Sequence, residues 1–202
     1  MTSSLDAFPR PSVAVDTAVL TVADGRLAVL LLEATDTLPV RLPGTFLHEG
    51  ETLAAAVLRS LHEKVGVRGL RPQQLHVFDA VDRDDRGRVL SVAFVDVVRD
   101  SLLPPEASVV AVDELPPLAF DHDSIVAFAV AAVRSSYLDT PDPRGLLAEP
   151  FTLRDLRGIH EAVAGERLLP DTFRRTMLPK LRGTGELSRE GRGRPAELYR
   201  RV

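Results

Sequence analysis

The most informative segment of the sequence is LPGTFLHEGETLAAAVLRSLHEKVGV, residues 42–67. Its first part is rich in Pro and Gly and predicts a loop, whereas the rest predicts a helix from about Thr52 to Val65. Gly66 is well placed to end that helix. One apolar stripe at helical spacing predicts the face that packs against a sheet, and it is formed by Val57, Leu58, Leu61 and Val65.

Predicted strands flank this helix on both sides in the sequence. Val13 to Glu33 predicts two strands around an Asp24-Gly25 turn, because Asp-Gly between β-rich runs is a strong hairpin signal. Gln74 to Asp82 and Val89 to Val98 predict a second pair, joined by the polar stretch DRDDRGR. The last of these strands is almost continuously apolar, as expected of a strand that is covered on both faces.

The following segment predicts a loop and then a long helix. Pro104-Pro105 and Pro116-Pro117 interrupt the chain, and the segment ends in LAFDHD. A helix rich in Ala and Val is predicted from about Asp123 to Leu138. Together with the strands, this part of the chain predicts a mixed sheet with helices packed against it.

The C-terminal quarter has a different organisation. Thr140 to Gly145 (TPDPRG) is the predicted linker, since Pro and Gly dominate it. Thr152 to Asp155 has the spacing of a capping box, which predicts a helix that ends near Gly165. A second helix is predicted from Asp171 to Leu181, and ELSREGRGRPAELYR predicts two short strands around a basic turn. This order of elements is that of a winged helix-turn-helix.

The predicted fold class is therefore α+β. A mixed β-sheet/α sandwich is expected over residues 1–142 and a winged helix-turn-helix domain over residues 143–202. The charge follows the same division. Residues 150–202 contain twelve Arg and Lys against seven Asp and Glu, a net charge of +5, so the first 149 residues carry −9. A basic C-terminal part favours contact with an anionic polymer, although a solvated basic surface has the same composition.

The composition excludes several classes of protein. A content of 45% hydrophobic and 27% charged residues is typical of a globular chain. The absence of Cys excludes disulfides and thiolate zinc sites, and the five His residues show no paired metal spacing. The sequence MTSSLDAFPRP lacks the pattern of a signal peptide, and no apolar stretch approaches the roughly 20 residues that span a bilayer. We therefore expect a cytoplasmic protein without a membrane partner.

Residues 42–67 resemble the Nudix box. In that pattern a Gly is followed after five residues by Glu. After seven more come Arg-Glu, an apolar residue, any residue, Glu-Glu, any residue, Gly and an apolar residue. The helix then presents carboxylates that hold Mg²⁺ against a diphosphate, and the loop lets the backbone approach it. Thr45 occupies the first Gly position, with Gly44 beside it. The chain matches the pattern at Glu51, Arg59, Leu61, Glu63, Gly66 and Val67.

Two departures from the box remove carboxylates. Ser60 replaces the Glu that follows Arg, and Lys64 replaces the second Glu of the pair. The two positions are four residues apart and therefore on one helix face, near Glu63. A divalent cation requires several oxygen ligands and is repelled by an ammonium group, so no metal site and no catalytic residue are expected. Lys64 is predicted to give a diphosphate the fixed positive charge that the metal would otherwise supply.

The C-terminal part resembles the NrtR family of Nudix-related transcriptional regulators. The resemblance rests on FTLRDL, LLPDTFRRTML and GRGRPAELYR within residues 151–200, and on LAFDHDSI, residues 118–125. It implies a repressor whose Nudix domain senses ADP-ribose or a related nucleotide-sugar metabolite. It also implies a homodimer on a palindromic operator of double-stranded DNA, in control of genes of NAD metabolism or sugar catabolism.

The expected ligand site combines the loop before the box helix, the box itself and the LAFDH segment. Arg59 and Glu63 have an alternative role as a helix-stabilising ion pair. Asp121 or Asp123 has an alternative role as a helix cap. The residues expected to bind the ligand are Arg41, Gly44, Phe46, Glu51, Arg59, Glu63, Lys64, Asp121 and His122.

The helix from Asp171 to Leu181 is the expected reader of the major groove. Asp171 or Thr172 is its expected cap, with Arg174 and Arg175 near its N-terminal end, where they can bind guanine bidentately. Free N–H groups at the start of the preceding helix suit a phosphate, and the basic turn suits the wing. The residues expected to bind DNA are Thr152, Arg154, Thr172, Arg174, Arg175, Lys180, Arg182, Arg189, Arg192 and Arg194.

Ligand binding is expected to change the spacing of two recognition helices, which must lie about 34 Å apart on DNA. The resemblance implies that the bound ligand causes the protein to release DNA. Two alternatives remain open. One is a working Nudix hydrolase of ADP-ribose or another nucleoside diphosphate derivative, for which the acidic loop Asp82 to Arg88 offers further ligands. The other is a sensor that binds protein or RNA through the basic tail.

Overall fold

A computed structural model describes residues 8–188 and 195–202 of the chain. The helices are α1 (Leu53–Val65), α2 (His122–Ser136), α3 (Leu153–Ala164) and α4 (Pro170–Met177). The first sheet contains β1 (Ser12–Ala23), β2 (Arg26–Leu31), β3 (Gly44–Phe46), β4 (Gln73–Phe78), β5 (Val89–Val97) and β6 (Ser108–Ala111). The second sheet contains β7 (Phe151–Thr152), β8 (Leu181–Leu187) and β9 (Glu197–Arg201). No helix within the described ranges is long and apolar enough to cross a bilayer.

The first sheet is mixed, as predicted. Its strand order is β4-β5-β1-β2-β6, and β3 also pairs with β1. β1 runs parallel to β5, whereas its second half pairs antiparallel with β2 and its first half with β3. The predicted hairpin is confirmed, because Asp24 and Gly25 have φ values of 49° and 73°, both in the left-handed region that a two-residue I′ turn requires. β1 thus lies in the middle of the sheet and carries the loop of the Nudix box at its first half.

Two predictions on the strands need correction. The strand expected over residues 74–82 ends at Phe78, because the chain then turns and the Arg88 guanidinium donates hydrogen bonds to the carbonyl oxygens of Asp79 (2.7 Å) and Ala80 (3.0 Å). The segment between the two Pro pairs, expected to be a loop, contains β6. That strand pairs with β2 and contains no Pro.

α1 and α2 cover opposite faces of the first sheet. α1 follows Thr52, whose hydroxyl accepts a hydrogen bond from the Ala55 N–H (3.2 Å), and it ends at Gly66 with φ of 67°. Both boundaries were predicted. The core under α1 includes Val15, Val19, Leu30, Ala56, Val57 and Leu61. The core under α2 includes Ala18, Leu20, Val29, Val95, Ile125, Val126, Ala129 and Val133.

The apolar stripe of α1 differs from the predicted one. Leu58 is 46% exposed, whereas Ala56 and Ser60 are buried. Successive residues lie about 100° apart around a helix axis. With Val57 and Leu61 against the sheet, the residues before them, Ala56 and Ser60, are also buried, whereas Leu58 is on the exposed side. Ser60 therefore belongs to the packed face of the helix.

The second unit is a winged helix-turn-helix, as predicted. The capping box of α3 is confirmed: the Thr152 hydroxyl accepts from the Asp155 N–H (3.1 Å), and the Asp155 carboxylate accepts from the Thr152 N–H (3.0 Å). Gly165, with φ of 78°, ends the helix. Side chains from both helices and from β7 and β9 form its core, namely Phe151, Leu156, Phe173, Met177 and Tyr199.

α4 is shorter than predicted. It ends at Met177, and the chain then tightens into a 3₁₀ turn over Leu178–Lys180, in which Leu178 keeps a helical conformation (φ −56°, ψ −40°) and Pro179 has no N–H to continue the α-helical hydrogen bonds. Its N-cap is Leu169 and its first residue is Pro170, so neither Asp171 nor Thr172 caps it. β8 then begins at Leu181, inside the predicted helix.

The predicted linker is folded against the rest of the chain. Asp142 is fully buried. Its carboxylate accepts hydrogen bonds from the Tyr137 hydroxyl and from the N–H groups of Leu146 and Leu147, each at 2.9 Å. The Arg201 guanidinium donates to it at 2.5 Å. The end of α2, the segment that follows it and the last strand therefore meet at one buried carboxylate.

Candidate functional site

A cleft opens where the first half of β1 meets the box loop and the start of α2. Five of the nine residues expected to bind the ligand line it, namely Arg41, Gly44, Phe46, Lys64 and His122. The structure adds residues to this lining that were not among those nine, including Asp16, Arg83, Asp84, Arg86 and Phe120. Four of the lining side chains are basic, which favours an anionic ligand.

The inner wall of the cleft is a buried polar cluster around Asp16. The Ser91 hydroxyl donates to the Asp16 carboxylate (2.5 Å), while His122 Nε2 lies 3.4 Å and the Arg83 guanidinium 3.7 Å from it. Burial raises the pKa of Asp16, but the bonds to His122 and Ser91 outweigh this and hold the pKa below its ordinary value. His122 Nδ1 accepts from the Leu42 N–H (2.9 Å), so Nε2 carries the hydrogen that faces Asp16. His122 thereby fixes the box loop to β1.

Gly44 and Lys64 bring the box loop and the box helix together. A Cβ at Gly44 would lie 1.9 Å from Asp16 Oδ1, so only Gly allows this approach. The Lys64 ammonium donates to the Gly44 carbonyl oxygen. Partial burial and the positive charge of Arg41 lower the pKa of Lys64. Lys64 thus stands at the cleft in the position where the Nudix pattern has a carboxylate.

Arg59 and Glu51 support the loop from outside the cleft. The Arg59 guanidinium donates to both carboxylate oxygens of Glu51 at 2.8 Å and to the Phe46 carbonyl oxygen at 3.1 Å. The bonds from Arg59, followed by one that the His48 N–H donates to Glu51 (3.0 Å), lower the pKa of Glu51 to about 2. The alternative pair with Glu63 is present at 3.7 Å, a longer distance than that to Glu51. Arg59 and Glu51 therefore hold the loop in place, Glu63 lies near Arg59 on the same helix, and none of the three lines the cleft.

Asp121 acts through Arg83 rather than facing the cleft. The Arg83 guanidinium, which is almost fully buried, donates to Asp121 at 2.5 and 2.9 Å. Asp121 occupies the N-cap position of α2 but its side chain makes no capping bond, and Asp123 lies inside the first turn. Neither Asp therefore caps the helix through its side chain. Arg83 links the start of α2 to Asp16 instead.

The acidic loop over residues 82–88 places an arginine at the mouth of the cleft. The Arg86 guanidinium donates to both oxygens of the buried Asp84 carboxylate (2.9 and 2.7 Å), and this bond lowers the pKa of Asp84 to about 2. The same guanidinium carbon lies 5.4 Å from the centre of the Phe46 ring and 5.3 Å from that of Phe120. Of the three aspartates that this loop offers the hydrolase alternative, Asp84 is thus paired with an arginine, whereas Asp82 and Asp85 are exposed.

The Nudix pattern implies Mg²⁺, and the donor groups near the box helix do not fit it. Ser60 is 1% exposed, and its hydroxyl has no hydrogen-bond partner among the described residues. Lys64 presents an ammonium group, and both nearby glutamates are paired with Arg59. Within residues 8–188 and 195–202, no group of three or more His, Asp and Glu side chains is placed to hold a metal ion. A divalent cation requires such a set of oxygen ligands.

The exposed face of α4 carries three of the residues expected to bind DNA, Thr172, Arg174 and Arg175. Both arginines lie in the last turn of the helix, not near its N-terminal end as predicted. The reason is the early end of the helix at Met177, which leaves only eight residues.

The other residues expected to bind DNA have mixed surroundings. The Thr152 hydroxyl is engaged in the capping box, whereas Arg154 and Arg182 are exposed. Lys180 donates to the carbonyl oxygen of Asp139, in the segment after α2, and its ammonium lies 3.7 Å from the carboxylate of the same residue. The three arginines of the expected wing lie outside the described residues, namely Arg189, Arg192 and Arg194.

Comparison with known proteins finds a matching domain family for each of the two parts of the chain. The Nudix domain family matches residues 11–129, and the NrtR DNA-binding winged helix domain matches residues 143–201. The ADPR responsive transcriptional repressor NtrR of Acinetobacter baylyi is 29% identical over 209 residues, which cover 96% of this chain and 83% of the repressor.

Two crystal structures from Shewanella oneidensis are also similar. NrtR complexed with a 27mer DNA is 30% identical and covers 94% of this chain and 93% of its own, with a TM-score of 0.77. The Nudix domain of NrtR complexed with ADP ribose is 28% identical and covers 64% of this chain and 93% of its own, with a TM-score of 0.55. The chain described here, a Nudix domain followed by a winged helix DNA-binding domain, therefore belongs to the NrtR family.

Proposed function

We propose that this protein is a transcriptional repressor that binds an operator through its winged helix and senses ADP-ribose in the cleft of its Nudix domain. The observation that carries the proposal is Lys64, an ammonium group at the cleft in place of a box carboxylate. The named activity of the Acinetobacter relative and the two Shewanella complexes support both halves of the proposal. The domains are assigned to residues 1–142 and 143–202.

ADP-ribose matches the chemistry of the cleft. Its diphosphate carries negative charge, and Lys64 and Arg41 present positive charge to the same space. Fixed cations of this kind stabilise a phosphate group through charge-assisted hydrogen bonds without a metal ion. We assign the diphosphate to Lys64 and Arg41, which lie close enough for the charge of Arg41 to lower the pKa of Lys64. Gly44, Phe46 and His122 complete the assigned ligand site.

The proposal assigns no hydrolase activity to the chain. Nudix hydrolysis needs a divalent cation to stabilise the diphosphate and activate water, and the donor groups near α1 do not suit one. The rival function, hydrolysis of ADP-ribose, is tested in the same experiment as sensing. Calorimetric titration with ADP-ribose is made once with EDTA and once with Mg²⁺, and the nucleotide is then analysed by chromatography. Equal affinity in both buffers with intact ADP-ribose supports the sensor, and conversion to AMP supports the hydrolase.

The winged helix gives the proposal its DNA partner. Arg174 and Arg175 project from the exposed face of α4 and are assigned to the operator, together with Arg154 and Arg182. A homodimer on a palindromic site is part of the proposal, since two recognition helices about 34 Å apart read two half-sites. Fluorescence anisotropy with duplex from upstream of the protein's own gene, a scrambled duplex and an RNA of the same sequence tests the partner class. Sedimentation equilibrium tests the dimer.

A further inference from the structure

We propose that the space between Phe46 and Phe120 is a subsite for the planar base of the nucleotide, and that Arg86 occupies this subsite until the base displaces it. The inference deepens the proposed function and rests on it, because it places the base of the effector in the same cleft. It also gives Arg86 a regulatory role, as a side chain of the protein that competes with its ligand.

The geometry of the two rings suits a base. Phe46 is 40% and Phe120 37% exposed, so both rings are open to the cleft that they line. The Arg86 guanidinium is planar and lies 5.4 and 5.3 Å from their centres. Aromatic groups pair at centre-to-centre distances of about 4.5–7 Å, so a base at the position of the guanidinium would contact both rings.

The backbone at Phe120 has a strained conformation, which supports a ligand site at its ring. Phe120 has φ of 58°, in the left-handed region that a bulky side chain rarely adopts. The strain is maintained by its neighbours, because Ala119 N–H donates to the Val40 carbonyl oxygen (2.8 Å) and His122 is buried against Asp16. Strained residues that persist in a fold cluster at ligand sites. The strained residue here, Phe120, lines the cleft.

When the Arg86 guanidinium leaves the subsite, Asp84 keeps one hydrogen bond to the backbone. The Arg86 side chain is 55% exposed, so it can move into solvent. The Arg86 backbone N–H also donates to Asp84 Oδ1 (3.0 Å), and this bond does not depend on the guanidinium. Displacement by a base therefore exchanges two cation–π contacts and the two guanidinium bonds to Asp84 for two aromatic contacts, while the backbone bond to Asp84 remains.

The test compares a ligand that has a base with one that does not. Calorimetric titration of the full chain uses ADP-ribose and inorganic diphosphate, which share the diphosphate. Phe120→Leu and Phe46→Leu remove one ring each, and Arg86→Ala removes the competitor. Arg86→Ala combined with Asp84→Asn covers the case in which an unpaired Asp84 destabilises the loop. Arg68→Ala, outside the cleft, controls for the loss of one positive charge, and thermal unfolding verifies that each variant is folded.

Phe120→Leu and Phe46→Leu are each expected to weaken ADP-ribose binding by about tenfold, the scale of base stacking on an aromatic side chain. Arg86→Ala, alone or with Asp84→Asn, is expected to strengthen ADP-ribose binding by at least about fivefold, because the base no longer displaces the cation–π contacts and the guanidinium bonds to Asp84. Affinity for diphosphate is expected to stay within about twofold in all four variants.

Unchanged ADP-ribose affinity in the two Phe variants would overturn the subsite. Weaker binding of both ligands by Arg86→Ala would assign Arg86 to the phosphates and overturn its role as a competitor. Failure of the proposed function is separate from both results, since it appears as unchanged operator affinity while ADP-ribose is bound. Lack of any ADP-ribose binding by the unsubstituted chain would overturn the subsite and the effector together.

Discussion

Gly44 approaches Asp16 so closely that an added Cβ would lie 1.9 Å from the carboxylate oxygen. Gly44→Ala is therefore expected to push the box loop away from β1. We expect the free energy of unfolding to fall by about 1–3 kcal/mol, as for other overpacked sites. ADP-ribose affinity is expected to fall with it, because the displaced loop carries Phe46 and the Gly44 carbonyl group. Urea unfolding and calorimetry measure the two effects.

Gly158 in α3 provides the matched control. A Cβ there has nothing within 4 Å, and the residue lies inside a helix. Gly158→Ala is expected to raise stability by about 0.5–1 kcal/mol and to leave ADP-ribose binding unchanged. Equal effects of the two substitutions would show that the contact with Asp16 does not constrain residue 44.

Lys64 and Lys180 are the only lysines of the sequence, and they make a matched pair. Lys64→Ala is expected to weaken ADP-ribose binding by at least about tenfold, since a hydrogen bond to a charged group contributes about 1.5–3 kcal/mol. Lys180→Ala removes the same charge from the region of the winged helix and is expected to leave ADP-ribose affinity unchanged. Calorimetry in EDTA measures both. A similar loss in the two variants would mean that net charge, not the position of Lys64, governs binding.

The sequence indicated part of the cleft and not the rest, for a physical reason. Lys64, Gly44 and Phe46 were found because they lie within one contiguous motif. Asp16 and Arg83 reach the cleft only through strand pairing and through a loop distant in sequence, which local patterns do not report. One signal for Asp16 was present, since it is the only charged residue in the predicted strand VAVDTAVLTV, and buried acids are rarely without a role.

At the scale of the element, α4 carries the DNA-binding prediction. Arg175→Ala is expected to weaken operator binding by about tenfold or more, because a bidentate contact to guanine provides about 1–3 kcal/mol of discrimination. Binding to a scrambled duplex is expected to change less, and Arg68→Ala, outside the winged helix, is expected to change neither. Fluorescence anisotropy at one salt concentration measures the three proteins. An equal loss on both duplexes would place Arg175 on the phosphate backbone instead.

His160 makes the packing of α3 sensitive to pH. Burial lowers the pKa of His160 to about 4, although Asp142 opposes this. Its Nε2 accepts from the Asp142 N–H (3.2 Å), an interaction that only the neutral ring can make. In the unfolded chain His160 binds a proton near its ordinary pKa of 6.5. The stabilisation of the fold by the neutral ring is therefore complete above pH 6.5 and is lost as the pH falls towards 4.

The lowered pKa of His160 is expected to reduce the free energy of unfolding by about 2 kcal/mol between pH 7.5 and pH 5. Urea unfolding at the two pH values measures it. His160→Gln, which cannot titrate, is expected to show a correspondingly smaller difference. A variant whose stability falls as steeply as that of the unsubstituted chain would assign the pH dependence to other groups.

The elements that the sequence predicted correctly carry their own boundary signals. Thr52 and Gly66 delimit α1, and Asp24-Gly25 defines the first hairpin. β6 was missed because a four-residue strand depends on its pairing with β2 rather than on local pattern. The end of α4 was missed because the chain stays helical as a 3₁₀ turn to Lys180, so only the hydrogen-bond pattern changes at Met177.

At the scale of the whole molecule, α2 connects the cleft to the winged helix. Its first residue, His122, lines the cleft, and Arg134 near its end donates to the Val163 carbonyl oxygen in α3 (3.0 Å). Arg134→Ala is expected to leave each separate affinity within about twofold and to reduce the effect of ADP-ribose on operator binding, normally a coupling of about 1–3 kcal/mol. Arg71→Ala, which removes a charge from an exposed residue away from this contact, serves as control. Full coupling in Arg134→Ala would exclude this contact from the response.

The most direct test of the proposed function is operator affinity at increasing ADP-ribose concentration. Fluorescence anisotropy is recorded with the full chain and duplex from upstream of its own gene, in EDTA and in Mg²⁺, and the nucleotide is recovered and analysed afterwards. We predict that ADP-ribose lowers operator affinity equally in both buffers and is recovered intact. Operator affinity that does not change at saturating ADP-ribose, or nucleotide that is cleaved rapidly in Mg²⁺, would contradict the proposal.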